Sequence, residues 1–148
     1  LCKNNIYDAF LADDKYKAFF HGHSYTGNAL ACAASIANLE VFENENTLEK
    51  IRLINLKHLG FAQRLEKINV IENVRIQGTI IAFDFVTGEE TSYFNSLRDS
   101  VYEYFIKKGI LLRPLGNVLY ILPPYCISDD ELNKVYDSII SLLESMDK

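Results

Sequence analysis

Two histidines, His21 and His23, flank Gly22 and are followed by Ser24, which makes this the densest group of potentially reactive side chains in the sequence. On an extended segment, residues two apart project to the same side, as joint metal ligation would require. No acidic or cysteine partner follows at ligand spacing. Each ring is therefore read as donating to backbone or packing on the nearby aromatic residues, and no metal is expected. Cys2, Cys32 and Cys126 are odd in number and widely spaced, which argues against a disulfide framework or a structural zinc site. Cys32, within Ala29-Leu-Ala-Cys-Ala-Ala34, reads as a buried small hydrophobe rather than a nucleophile. The sequence has no Gly-rich nucleotide loop, no Gly-x-Ser-x-Gly elbow and no His-Glu-x-x-His. No catalytic residue is assigned within these residues.

The segment that carries the histidines, Phe19 to Gly27, mixes aromatic and small residues without a sustained period and is predicted to be a loop of specific geometry. Ahead of it, Ile6 to Leu11 reads as a short amphipathic turn of helix, followed by a charged surface stretch. Behind it, Leu30, Ala33, Ala34, Ala37 and Val41 predict an Ala-rich helix over 28–42. Asn46 with Glu49 has the form of a reciprocal N-cap opening a helix that runs to about Ile68. Val74 to Val86 is β-branched and aromatic and reads as one strand region, with Gly78 as a bulge or close contact. Phe94, Leu97, Val101, Tyr104 and Phe105 keep helical spacing up to the stop at Lys107-Lys-Gly109. Leu111–Pro114 and Val118–Leu122 are expected to pair as a hairpin around Leu115-Gly-Asn117. Ser128 and Glu131 predict a capping box ahead of a last helix with one apolar face. The expected order is two helices, strand, helix, hairpin, helix. That implies an α+β fold, a small, mostly antiparallel sheet with helices packed on one face.

Composition limits the function classes. About half of the 148 residues are apolar and 24% are charged, as in an ordinary globular domain with one real core. The net charge of −5, with neither sign in a block, disfavours a basic nucleic-acid face. No apolar run is long enough to span a bilayer and no signal-peptide pattern is present, so a cytoplasmic protein that meets neither membrane nor nucleic acid is expected.

The string Phe20-His-Gly-His-Ser-Tyr-Thr-Gly-Asn-Ala-Leu-Ala-Cys-Ala-Ala34 resembles the segment of class III pyridoxal-phosphate-dependent aminotransferases in which His-Gly, a pair ending in Ser or Thr, Gly-Asn and an Ala-rich helix follow in order. Downstream, Gly109-Ile-Leu-Leu-Arg-Pro-Leu-Gly-Asn-Val-Leu-Tyr-Ile-Leu-Pro-Pro-Tyr125 resembles the Arg-Pro, Tyr and Pro-Pro-Tyr stretch of the biotin-pathway branch. With Val74-Arg-Ile-Gln-Gly78 between them, the resemblance covers nearly the whole chain.

That resemblance implies the C-terminal part of a fold type I transferase. Residues 1–45 would form a dimer-interface loop and connecting helix, and residues 46–148 a C-terminal α+β domain. The cofactor implied is pyridoxal 5′-phosphate, and the complete enzyme would be a homodimer that moves an amino group from S-adenosylmethionine to 8-amino-7-oxononanoate to give 7,8-diaminononanoate. By position, His23 and Ser24 would contact the cofactor phosphate of the partner subunit, Gly22 would line the substrate site, and Arg113 would bind a substrate carboxylate. A glycine permits close approach to a flat ligand, a serine hydroxyl with backbone donors binds phosphate, and a guanidinium fork suits a carboxylate. His23 stands where family members often carry Pro or Ser, so a side-chain role and a spacer role stay open. Tyr120 is read either as packing or as bordering the Arg113 pocket. The lysine that holds the cofactor covalently and the aspartate that pairs with its ring nitrogen lie earlier in relatives. Lys3, Lys15 and Lys17 sit in none of the apolar, Gly-flanked settings expected of that lysine, so residues 1–148 alone are expected to be inactive. The alternatives are another class III aminotransferase, or a stand-alone α+β ligand-binding or regulatory module.

Overall fold

The computed structural model describes residues 2–87 and 97–147. The chain divides into two compact units, Leu1–Val41 and Phe42–Lys148. Phe94, expected to begin a helix, lies outside the described residues.

The first unit holds α1 (Asn4–Asp8), a 3₁₀ turn at Lys15–Lys17 whose N-cap Asp14 accepts from the Tyr16 amide, the His-Gly-His loop, and the start of α2 (Ala29–Asn44). Asn28 caps α2: its Oδ1 accepts from the Ala31 N–H at 3.0 Å. None of α2's residues is buried, and Leu30 is 82% exposed. Cys32, expected inside, is exposed too: α2 has no distinct apolar face, and none of its residues is buried.

In the second unit, α3 (Thr47–Leu65) buries Thr47, Ile54, His58, Phe61 and Leu65, a stripe spaced by three, four and seven residues as a helix face requires. Its N-cap differs from expectation. Asn46 adopts a left-handed conformation, φ 52°, which asparagine tolerates, and its side chain makes no cap. Arg52 grips Glu49 instead, with two hydrogen bonds of 2.7 and 2.6 Å.

The region read as one strand is a hairpin, β1 (Ile71–Gln77) and β2 (Ile80–Phe85). Gln77 faces Ile80, so Gly78 and Thr79 form a two-residue turn, and Gly78 has φ 57° as such turns require. The bulge lies earlier, between Glu72 and Arg75, where Asn73 has φ 54°. The bulge serves the core. Ile71 pairs with Phe85 and Ile76 with Ile81, so the extra residue lets two side chains five apart point to one face. Arg75 and Asn73 both bind the Asp84 carboxylate on the opposite face, at 2.7 and 3.1 Å.

Helix α4 (Leu97–Lys107) ends at Gly109, φ 70°, where Gly109 and Ile110 donate to the carbonyls of Ile106 and Phe105, as in a Schellman stop. Strand β3 (Val118–Ile121) pairs antiparallel with β2 and completes a sheet of order β1-β2-β3. The expected partner strand over Leu111–Pro114 does not form. Leu112 donates to Ile110 two residues back, Pro114 has no N–H to give, and among the described residues a bridge forms at Leu115–Val118. The hairpin thus precedes α4 and one strand follows it. Helix α5 (Asp129–Met146) opens with the expected capping box: Ser128 Oγ accepts from Glu131 N–H at 3.2 Å and Glu131 Oε2 accepts from Ser128 N–H at 2.9 Å.

Ile81, Phe83, Phe85, Leu119 and Ile121 share one core with Phe61, Leu65, Val101, Phe105, Leu132, Tyr136, Ile139 and Leu143. This is the expected α+β arrangement, with helices on one face of an antiparallel sheet. The other face carries Arg75, Gln77, Ile80, Ala82, Asp84 and Tyr120.

Candidate functional site

In the first unit, the stretch from His23 to Asn28 is two consecutive turns. Thr26 N–H donates to the His23 carbonyl at 2.9 Å, and Asn28 N–H to the Tyr25 carbonyl at 3.1 Å; the second turn places Gly27 at φ 66°. Asn28 then starts α2, so loop and helix are set by a continuous run of local bonds.

Within the first turn, His23 N–H donates to Thr26 Oγ1 at 3.2 Å and Tyr25 N–H donates to His23 Nδ1 at 3.1 Å. A backbone N–H can only donate, so Nδ1 is an acceptor and the neutral ring carries its proton on Nε2. Ser24 occupies the apex. Among the described residues neither its N–H nor its hydroxyl makes a hydrogen bond. A Cβ at Gly22 would meet nothing within 4 Å, and its φ is not left-handed, so the chain's own packing does not demand glycine there. The rings of Phe19, His21, His23 and Tyr25 follow one another at 5.4 to 6.0 Å between centroids. Of the two settings expected for each ring, backbone donation or aromatic packing, the packing is the one present. Among the described residues no group of three or more His, Cys, Asp or Glu could hold a metal ion.

Arg113 belongs to the second unit. It lies in the irregular stretch between the α4 stop and the Leu115–Val118 turn, which Gly116 makes with φ 63°. Together with Tyr120 it lines a groove of about 280 Å³ whose other walls are Leu111, Leu112 and Leu122. Tyr120 projects from the side of β3 that faces away from the core, beside Ala82 of β2. The groove thus combines apolar walls with a permanently charged fork and a phenol, which suits an aliphatic chain ending in an acid.

His58 stands between Ile54 and Phe61 on the buried stripe of α3, and that spacing is its signal in the sequence. It is 0% exposed. Its Nε2 lies 2.9 Å from the Thr79 carbonyl and its Nδ1 2.7 Å from the Tyr136 hydroxyl. The carbonyl only accepts, so Nε2 bears the proton and Nδ1 accepts from Tyr136. Asn55 Nδ2 donates to the neighbouring Gly78 carbonyl at 2.8 Å, so α3 holds both carbonyls of the hairpin turn. Burial lowers the His58 pKa from 6.5 against a smaller opposing effect of the Thr79 bond, and burial raises that of Tyr136. These groups are structural: they hold the sheet against the helices.

Comparison with known proteins bears on the whole chain. The family described as Aminotransferase class-III matches residues 1–143. The adenosylmethionine-8-amino-7-oxononanoate aminotransferase of Helicobacter pylori is 38% identical over 100% of this chain and 34% of its own length; that of Methanocaldococcus jannaschii is 34% identical over 99% and 33%. The crystal structure of the Methanocaldococcus jannaschii protein superposes with a TM-score of 0.82 at 32% identity, covering 96% of this chain and 34% of the other. A Bacillus anthracis aminotransferase superposes with a TM-score of 0.79 at 25% identity, over 97% and 34%. The chain spans about a third of the length of the curated relatives it matches.

Proposed function

The chain belongs to the class-III aminotransferase family, and from that premise we propose that the complete protein transfers an amino group from S-adenosylmethionine to 8-amino-7-oxononanoate, giving 7,8-diaminononanoate, with pyridoxal 5′-phosphate as cofactor. The observation that carries the reading is the identity of 34 to 38% over essentially all of these residues to relatives named for that reaction. The division of roles implied by the family resemblance goes with it: residues 1–45 as loop and connecting helix at a homodimer interface, and 46–148 as the C-terminal domain of a cytoplasmic enzyme. The exposure of Phe20 (83%) and Leu30 (82%) supports an interface on the first unit. Among the described residues no helix is long and apolar enough to cross a membrane.

The donor set fits the cofactor's phosphate. Ser24 offers an N–H and a hydroxyl with no other hydrogen bond among the described residues, and both are suited to phosphate oxygens without a fixed positive charge. Gly22 leaves clearance that no side chain of the described residues uses, as close approach of a flat ring or its substrate requires. When bound, pyridoxal phosphate supplies the electron sink for amino-group transfer. This chain's own task is to hold and to register. Ser24 donates to the phosphate, Arg113 binds the acceptor's terminal carboxylate, and the leucine walls of the groove offer apolar contact to its methylene chain. Tyr120 borders the same chain.

The test is single-turnover transamination in the full-length protein carrying Arg113→Ala, with the natural acceptor and with an analogue lacking the carboxylate. Bound cofactor should be retained, and the loss of kcat/KM should fall on the carboxylate-bearing acceptor. Equal loss for both acceptors would show that Arg113 is structural.

A further inference from the structure

The His23 ring is fully engaged on one side. Its Nδ1 is separated from Cα by the same number of bonds as the Oδ1 of an asparagine, and it accepts the N–H two residues on, the bond that defines an Asx turn. The same residue accepts Thr26 N–H with its carbonyl and gives its own N–H to Thr26 Oγ1, so three bonds within four residues close one turn. Ser24 is the apex residue of that turn, and neither its amide nor its hydroxyl is drawn into it. With its N–H, carbonyl and Nδ1 all spent on the turn, His23 has Nε2–H as its one remaining polar atom.

We propose that His23 is a positioning residue: it closes the turn that aims the Ser24 N–H and hydroxyl at the cofactor phosphate, and does not itself hold the phosphate. This rests on the reading that the loop receives pyridoxal phosphate, and it replaces direct contact by His23 with an action through Ser24. An asparagine serves the same geometry, with Oδ1 in the place of Nδ1. Thr26 is the second half of the device, since its hydroxyl takes the amide that His23 would otherwise present outward.

The experiment compares full-length wild type, His23→Asn, His23→Ala, Thr26→Val and Ser24→Ala. One readout is the affinity of the apoprotein for pyridoxal phosphate, followed by the bound cofactor's absorbance. The other is amide hydrogen exchange at Tyr25 in the apoprotein. Loss of one closing bond should speed Tyr25 exchange and weaken cofactor affinity by about threefold to tenfold in His23→Ala. Thr26→Val should weaken affinity comparably, and His23→Asn should stay near wild type in both readouts. Asparagine could itself donate to a phosphate, so the telling result is rescue of affinity together with Tyr25 exchange in the apoprotein, which a direct phosphate contact does not explain. The proposal is overturned if His23→Asn binds cofactor as poorly as His23→Ala, or if Tyr25 exchange is unmoved in His23→Ala. Ser24→Ala retaining wild-type affinity is a separate failure: it sinks the placement of the phosphate on this loop, whatever Tyr25 does.

Discussion

Removing a single oxygen, in Tyr136→Phe, tests the account of how the sheet is held. The hydroxyl donates to His58 Nδ1 at 2.7 Å, and the Tyr136 ring stacks on Phe61 with centroids 4.2 Å apart. Phenylalanine keeps the stack and the volume, so the change isolates the hydrogen bond. His58 is 0% exposed, and water cannot take the hydroxyl's place without a local rearrangement. The cost is therefore that of a buried acceptor left unsatisfied, about 1–3 kcal/mol, rather than the smaller net worth of an exchangeable bond. Native-state hydrogen exchange in the full-length protein measures it where it acts. Slow amides of β2, α3 and α5, which open only when this unit opens, should lose protection by roughly 5- to 150-fold. Amides that open by local fraying should not change. Protection of those slow amides within about twofold of wild type would refute the reasoning, since it would mean His58 finds another partner at no cost.

Three further outcomes are expected. Burial holds the His58 pKa below 6.5 in the folded state, so an unfolded chain binds a proton there that the folded one does not. That contribution to stability is fully present above about pH 6.5 and is lost as pH falls below it, by up to about 1.4 kcal/mol per pH unit until the folded pKa is reached. Exchange protection compared at pH 7.5 and 5.5 should show a shallower dependence in His58→Leu; an unchanged slope would contradict it. Ser128→Ala removes one half of the capping box of α5 and should cost about 0.5–2 kcal/mol, read from exchange in the first turns of that helix. Arg113→Lys keeps the charge but not the fork, so it should be impaired with the carboxylate-bearing acceptor in steady-state kinetics, by less than Arg113→Ala; wild-type kinetics would show that only charge matters.

Where a local bond pattern decides the structure, the sequence was sufficient. Ser128 with Glu131, and Gly109 after Lys107-Lys108, specify their helix ends through side-chain or backbone bonds within six residues, and both formed as expected. Errors arose where two local solutions compete. Asn46 could cap with its side chain or turn left-handed, and took the second while Arg52 claimed Glu49. Gly78 could bulge or turn; pairing of Gln77 with Ile80 made it a turn, and the bulge moved to Asn73, where it corrects the parity of Ile71 and Ile76. The strand expected at Leu111–Pro114 failed because Pro114 has no amide to pair, a cue present in the sequence but outweighed there by the run of leucines. His58 was missed because a histidine on an apolar stripe has meaning only when its partners Thr79 and Tyr136, 21 and 78 residues away, are known. Of the residues proposed for function, Gly22, His23 and Ser24 share one loop by sequence adjacency alone. The nearness of Arg113 to Tyr120 came from the sheet, which directs Tyr120 away from the core.

The most direct test of the proposed activity is to incubate the full-length protein with pyridoxal phosphate, S-adenosylmethionine and 8-amino-7-oxononanoate and to follow the acceptor by mass spectrometry. Conversion to 7,8-diaminononanoate that depends on S-adenosylmethionine and falls in Arg113→Ala is the expected result. An acceptor left intact, while the same preparation aminates keto acids lacking a distant carboxylate, would contradict it.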